Sequence, residues 1–136
     1  GLFSNHFEQG KIKVTQKVSD GIVVYADKQQ LQQVLINILL NAVEALAETR
    51  DPEIMIDCCQ DNAYATISVK DNGKGIGQEH IEKIFDPFFT TKPNGTGLGL
   101  AISYQFITEI GGRIWAESLH GEGAKINIQL PKCEMR

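Results

Sequence analysis

Apolar and polar positions alternate over residues 11–19, where Ile12, Val14 and Val18 share one side and Gln16 breaks the row. That is a strand signal, and Asp20-Gly21 reads as a hairpin turn into a second short strand, IVVYA, over 22–26. The period then changes. Leu31, Val34, Leu35, Ile38, Leu39, Ala42 and Leu46 recur at helical spacing, which predicts a helix with one buried stripe. Asp27 caps its start, with Gln30 three places on, and residues 49–52 close it. Alternation resumes at Ile54, Ile56 and Cys58 and again at Ala65, Ile67 and Val69, with Asp61-Asn62 between them, so a second hairpin is expected.

From 71 to 97 the chain is mostly Gly, Pro, Asn, Thr and Phe, with one short helical signal at 78–84. Long stretches without regular structure are uncommon in small domains and are usually functional. A further helix runs from Gly97 to about residue 110, stopped by Gly111-Gly112. The remainder up to Pro131 reads as a third hairpin. The order β-β-α-β-β-loop-α-β-β, with helices segregated from a mainly antiparallel sheet, predicts an α+β chain built as a two-layer α/β sandwich.

Composition narrows this without redirecting it. The 136 residues suit one domain, spanning 1–136, with 1–10 as a linker remnant and 132–136 as a tail. A start at Gly1 is expected of a piece of a longer protein. Hydrophobic content of 42% and charge of 22% are those of an ordinary globular chain. No run of ~18 apolar residues is present, so no membrane span is predicted. A net charge of −4 without a basic block does not call for nucleic acid. Cys58, Cys59 and Cys133 lack metal-ligand spacing and read as reduced thiols of a cytoplasmic protein.

The candidate chemistry begins on the first helix. Asn37 and Asn41 lie four residues apart, so they project about 40° from one another on one face. They read either as solvated or locally bonded amides, or as hard oxygen donors for Mg²⁺. Asp71, in DNGKGIG, stands directly after a strand, and Gly73, Gly75 and Gly77 permit close backbone approach to a ligand. A carboxylate there can accept from an exocyclic amine, which separates adenine from guanine; the bland alternative is a plain turn. Gly95-Thr96-Gly97-Leu98-Gly99-Leu100 opens a helix, and free N–H groups at such an end suit an anion. It is neither a Walker loop nor a dinucleotide fingerprint, because no Gly-Lys-Ser/Thr follows and Leu100 stands at the third glycine position. Between these loops, Phe85, Phe88 and Phe89 in a polar segment require burial, which predicts a lid anchored to the body. Thr90, Thr91 and Lys92 would then face phosphate.

Taken together and in this order, these elements resemble the catalytic and ATP-binding domain of sensor histidine kinases, in the superfamily that includes gyrase, heat-shock and mismatch-repair ATPases. The resemblance spans about residue 20 to Pro131. It implies the Bergerat ATP-binding fold, a mixed, mostly antiparallel sheet of about five strands covered on one face by about three helices. It makes LQQVLINILLNAVEAL the N box, with Asn41 the Mg²⁺-binding asparagine and Asn37 near the phosphates. Asp71 becomes the reader of the adenine amino group, with Gly73, Gly75 and Gly77 shaping its pocket and Ile76 beside the base. IFDPFFTTK resembles the F box, which brings in Phe88, Thr90, Thr91 and Lys92. GTGLGL resembles the second glycine box, with Gly95, Thr96, Gly97, Leu98, Gly99 and Leu100 around phosphate. The short span between the two resembles nitrogen-regulation and sporulation kinases.

The resemblance also separates kinase from ATPase. The superfamily's hydrolases carry a water-activating Glu four residues before the metal-binding Asn; here that position is Asn37, which is no base. The expected activity is therefore transfer of the ATP γ-phosphate to a histidine, with Asn37, Asn41 and Lys92 as the catalytic set. An ATP-hydrolysing clamp and a non-catalytic nucleotide-binding module are the alternatives. Two positions depart from the pattern. Gly121-Glu122-Gly123-Ala124 ends in Ala where a Thr hydroxyl often supports the adenine Asp, and Glu44 replaces a basic phosphate contact, leaving that role to Lys92. None of His6, His80 and His120 fits a phosphoacceptor. The implied partners are an upstream histidine-bearing dimerisation domain and a response-regulator receiver domain, and the isolated domain is expected to be monomeric and cytoplasmic.

Overall fold

The computed structural model describes residues 11–19, 21–24, 26–89, 98–118 and 122–132. Helix α1 (Lys28–Ala45) starts where Asp27 accepts the Gln30 backbone N–H at 3.0 Å, which satisfies one of the orphan donors of a helix start. Its apolar stripe places Val34, Ile38 and Ala42 in the core. Ile38 is 1% exposed, so truncating it to Ala is expected to cost about 2–5 kcal/mol. Helix α2 (Gly99–Glu109) contributes Ile107 to the same core and ends at Gly111, whose φ of +84° is the left-handed conformation that favours glycine.

Five strands complete the chain: β1 (Lys13–Val18), β2 (Glu53–Gln60), β3 (Tyr64–Asp71), β4 (Arg113–Ser118) and β5 (Ala124–Pro131). They form one sheet in the order β1-β2-β3-β5-β4, with β1 parallel to β2 and all other neighbours antiparallel. Ile54, Val69, Ile114, Ile126, Ile128 and Leu130 pack with both helices in one core cluster. Met55, Asp57, Cys59 and Lys70 fall on the other side of the pleat and are exposed. Cys58 and Cys59 are free thiols.

The expected two-layer α+β arrangement with five strands is what the chain adopts, with three local corrections. The described residues of 22–26 do not form a strand paired with β1. Val24 makes a single antiparallel bridge to Lys132, and β1 spends its edge on β2 instead. The helical signal at 78–84 resolves into successive turns, so the described residues hold two helices rather than about three. Finally, the three F-box rings do not all bury. Phe85 packs near Tyr104 with centroids 5.8 Å apart and Phe89 lies 5.4 Å from His80, whereas Phe88 is 73% exposed. Its φ of +66° lies in the left-handed region, uncommon for a residue other than glycine.

Candidate functional site

One rung of the sheet organises the site. Val14, Ile54, Asp71, Ala124 and Ser118 are successive cross-strand partners from β1 to β4. On it Asp71 is only 5% exposed, although it is the last residue of its strand. Burial pushes its carboxyl up from the ordinary carboxylate range, and the facing Gly73 and Ala124 N–H groups pull the other way. Gly73 N donates to Asp71 Oδ1 at 2.9 Å. Among the described residues its donors are these two backbone N–H groups, and a carboxylate with two donors keeps lone pairs for a further one.

The loop that follows is built by a division of labour. Asn72 is a latch: its Oδ1 accepts from Glu53 N at 2.7 Å and its Nδ2 donates to the Asp51 carbonyl at 3.0 Å. Gly73 is glycine because a Cβ would sit 2.4 Å from the Ala45 carbonyl oxygen at the end of α1. Gly75 takes φ +76°. Gly77 is less constrained, since a Cβ there meets only the flexible Glu79 side chain. On the opposite hairpin Gly123 takes φ +96°, and its backbone runs so close to Asp71 that a Cβ would fall 2.1 Å from the Asp71 carbonyl oxygen.

The far end of the site is an inter-helix junction. The Asn37 Nδ2 donates to the Gly99 carbonyl at 3.2 Å and approaches Ser103 Oγ at 3.4 Å, while its Oδ1 accepts from Gln33 at 3.0 Å. The fully buried Ser103 hydroxyl donates to the same Gly99 carbonyl at 2.9 Å. Asn37 thus ties α1 to the first turn of α2. Asn41, one turn further along α1, is half-buried. Leu98, Gly99 and Leu100 are also half-buried. Thr90, Thr91, Lys92, Gly95, Thr96 and Gly97 lie outside the described residues, as do Asp20, residues 1–10, His6, His120 and Cys133.

A buried acceptor on a strand end, a glycine loop against one helix and a second helix tied to the first agree with the sequence family. Residues 26–134 match the family described as histidine kinase-, DNA gyrase B-, and HSP90-like ATPase. The chain belongs to that family. It is 43% identical over 108 residues to the sensor histidine kinase ZraS of Escherichia coli O157:H7, covering 79% of this chain and 23% of that protein. It is 39% identical over 115 residues to sporulation kinase C of Bacillus subtilis, covering 85% and 26%. The chain therefore spans about a quarter of the length of these relatives. The catalytic domain of the histidine kinase ThkA in a nucleotide-free form superposes with a TM-score of 0.85 at 38% identity, covering 96% of this chain and 86% of that one. A further ThkA structure contains its response regulator TrrA; there the match covers 97% of this chain and 37% of that one, with a TM-score of 0.83.

As a member of this ATPase family, the chain has the catalytic-domain fold of a protein histidine kinase, and ATP binding follows from the family. No helix among the described residues is long and apolar enough to cross a membrane. Three further residues of the site escape sequence reasoning: Asn72, Ser103 and Ser118. The latch made by Asn72 needs a partner 19 to 21 residues earlier. Ser103 is a small polar residue on the buried face of α2, one turn before Ile107, and Ser118 is one serine at the end of a strand.

Proposed function

We propose that this chain binds Mg-ATP and donates the γ-phosphoryl group to a histidine nitrogen on a separate dimerisation domain, releasing ADP. The observation that carries this reading is the buried, backbone-braced carboxylate of Asp71 at the end of β3. It accepts from the adenine amino group, with Gly75 and Ile76 forming the adjoining wall and Gly73 and Gly77 shaping the turn. Around the phosphates stand Asn37, Asn41 and the entry to α2 at Leu98, Gly99 and Leu100. Phe88, Thr90, Thr91, Lys92, Gly95, Thr96 and Gly97 complete this set by the family pattern.

Mg²⁺ suits this donor set, since the carboxamide oxygen of Asn41 is a hard ligand of the kind that ion takes alongside phosphate oxygens and water. When bound, the ion offsets phosphate charge. The chain's own contribution is positioning, the usual means by which phosphoryl transfer is catalysed. Asn37 holds α2 against α1 and presents no carboxylate to activate water, so transfer to histidine is favoured over hydrolysis. By the same family reading the whole chain is one catalytic domain, cytoplasmic and monomeric by itself, with a response-regulator receiver domain accepting the phosphoryl group afterwards. Incubation with γ-labelled ATP, Mg²⁺ and a histidine-bearing dimerisation domain supplied in trans should yield acid-labile phosphohistidine on that domain. Steady release of inorganic phosphate with no labelled histidine would instead support the hydrolysing clamp.

A further inference from the structure

Ser118 closes the Asp71 rung at β4, across the ladder from Ala124. Its side chain is half-buried and makes two hydrogen bonds of opposite sense. Oγ accepts the Ile76 backbone N–H at 2.6 Å and donates to the Gly123 carbonyl at 2.8 Å. The Ser118 carbonyl also accepts from Gln78 Nε2 at 3.3 Å. One hydroxyl has a single O–H and two lone pairs, so this pairing uses its donor completely.

The two partners belong to the two segments that flank Asp71. Ile76 is in the glycine loop that leaves β3, immediately after the left-handed Gly75. Gly123 is the residue whose backbone presses on the Asp71 carbonyl. Without Oγ, the hydrogen bond among the described residues that ties the end of the Gly73–Gly77 loop to β4 is the one from the exposed Gln78 side chain. A methyl group in its place strands a half-buried N–H and a carbonyl together.

We propose that Ser118 is a positioning residue of the nucleotide pocket: its hydroxyl sets the Gly75–Ile76 peptide at a fixed height above Asp71, so that the base meets wall and acceptor together. This rests on the reading of Asp71 as the adenine acceptor.

The test is calorimetric titration of Mg-ATP into wild type, Asp71→Asn, Ser118→Ala and Ser118→Thr, together with hydrogen exchange at the Ile76 amide. Ser118→Ala should weaken ATP binding about tenfold and release Ile76 to fast exchange, and Ser118→Thr, which keeps the hydroxyl, should restore both. Wild-type affinity in Ser118→Ala, alongside weak binding by Asp71→Asn, overturns this inference and leaves the adenine reading intact. Tight binding by Asp71→Asn overturns the adenine reading instead. Should Ser118→Ala fail to fold, the wild-type Ile76 amide decides: protection supports the bond, and exchange at open-loop rates refutes it.

Discussion

The glycines that surround Asp71 and the glycine that opens α2 differ in what a side chain would meet. Around Asp71 the glycines answer to the protein. A Cβ on Gly73 meets the end of α1, and one on Gly123 meets the carbonyl of Asp71 itself. At the entry to α2 the reverse holds, because a Cβ on Gly99 would find its nearest neighbour, the Asn37 side chain, at an ordinary 3.6 Å. Gly73 and Gly123 are glycine as a condition of packing, whereas a methyl group at Gly99 would make only ordinary contact with Asn37 among the described residues. Under the proposed function, the absence of a side chain at Gly99 lets phosphate approach the helix entry closely.

Substitutions can break this contrast. The largest effect should come from Gly123→Ala, where a left-handed φ and a backbone collision coincide; a loss of about 3 kcal/mol or more in denaturant unfolding is expected. Gly73→Ala should lose about 2 kcal/mol by the same measurement, because the Ala45 carbonyl has to move. Gly99→Ala should do the opposite. Alanine is favoured over glycine within helices by up to about 1 kcal/mol, so stability should hold or rise while ATP affinity falls about tenfold. Destabilisation by Gly99→Ala with unchanged affinity would dissolve the distinction between the segments.

A pH titration sharpens the Asp71 side of the comparison. Its carboxyl holds a proton more tightly in the fold than in the unfolded chain, because burial raises it. Stability therefore declines as pH rises from the ordinary carboxylate range through the raised value, and acidification restores it. ATP affinity should run the other way, since the ionised carboxylate is the stronger acceptor. Subtracting the Asp71→Asn curves from wild type isolates both slopes, and slopes of the same sign would contradict the assignment. The smallest effect belongs to Ala124→Thr, which returns the hydroxyl between Asp71 and Ser118 and should tighten ATP binding a few-fold in the same calorimetric assay.

Much of this architecture is legible in the sequence. The stripe from Leu31 to Leu46 and the cap at Asp27 define α1 because both signals are local, and alternation defines the β2–β3 hairpin for the same reason. Non-local choices were not legible. Residues 11–19 read equally well as half of a hairpin, and only the parallel register against Glu53–Gln60 shows where β1 belongs. The helical signal at 78–84 lost to Gly77 and Pro87, which bound a segment too short to propagate. Phe88 reads as core by composition, yet its backbone places it outward. Asp71 stood out as a carboxylate beside glycines after a strand. The partners of Asn37 and Ser118 lie 62 and 42 residues away in the chain, and no local pattern announces them.

The central claim is that Asp71 reads adenine. Titrating Mg-ATP into wild type and Asp71→Asn at neutral pH tests it directly. The account predicts measurable wild-type binding, a loss on the order of 100-fold in the variant, and a melting temperature for the variant no lower than that of wild type. Equal affinity in the two proteins would contradict it.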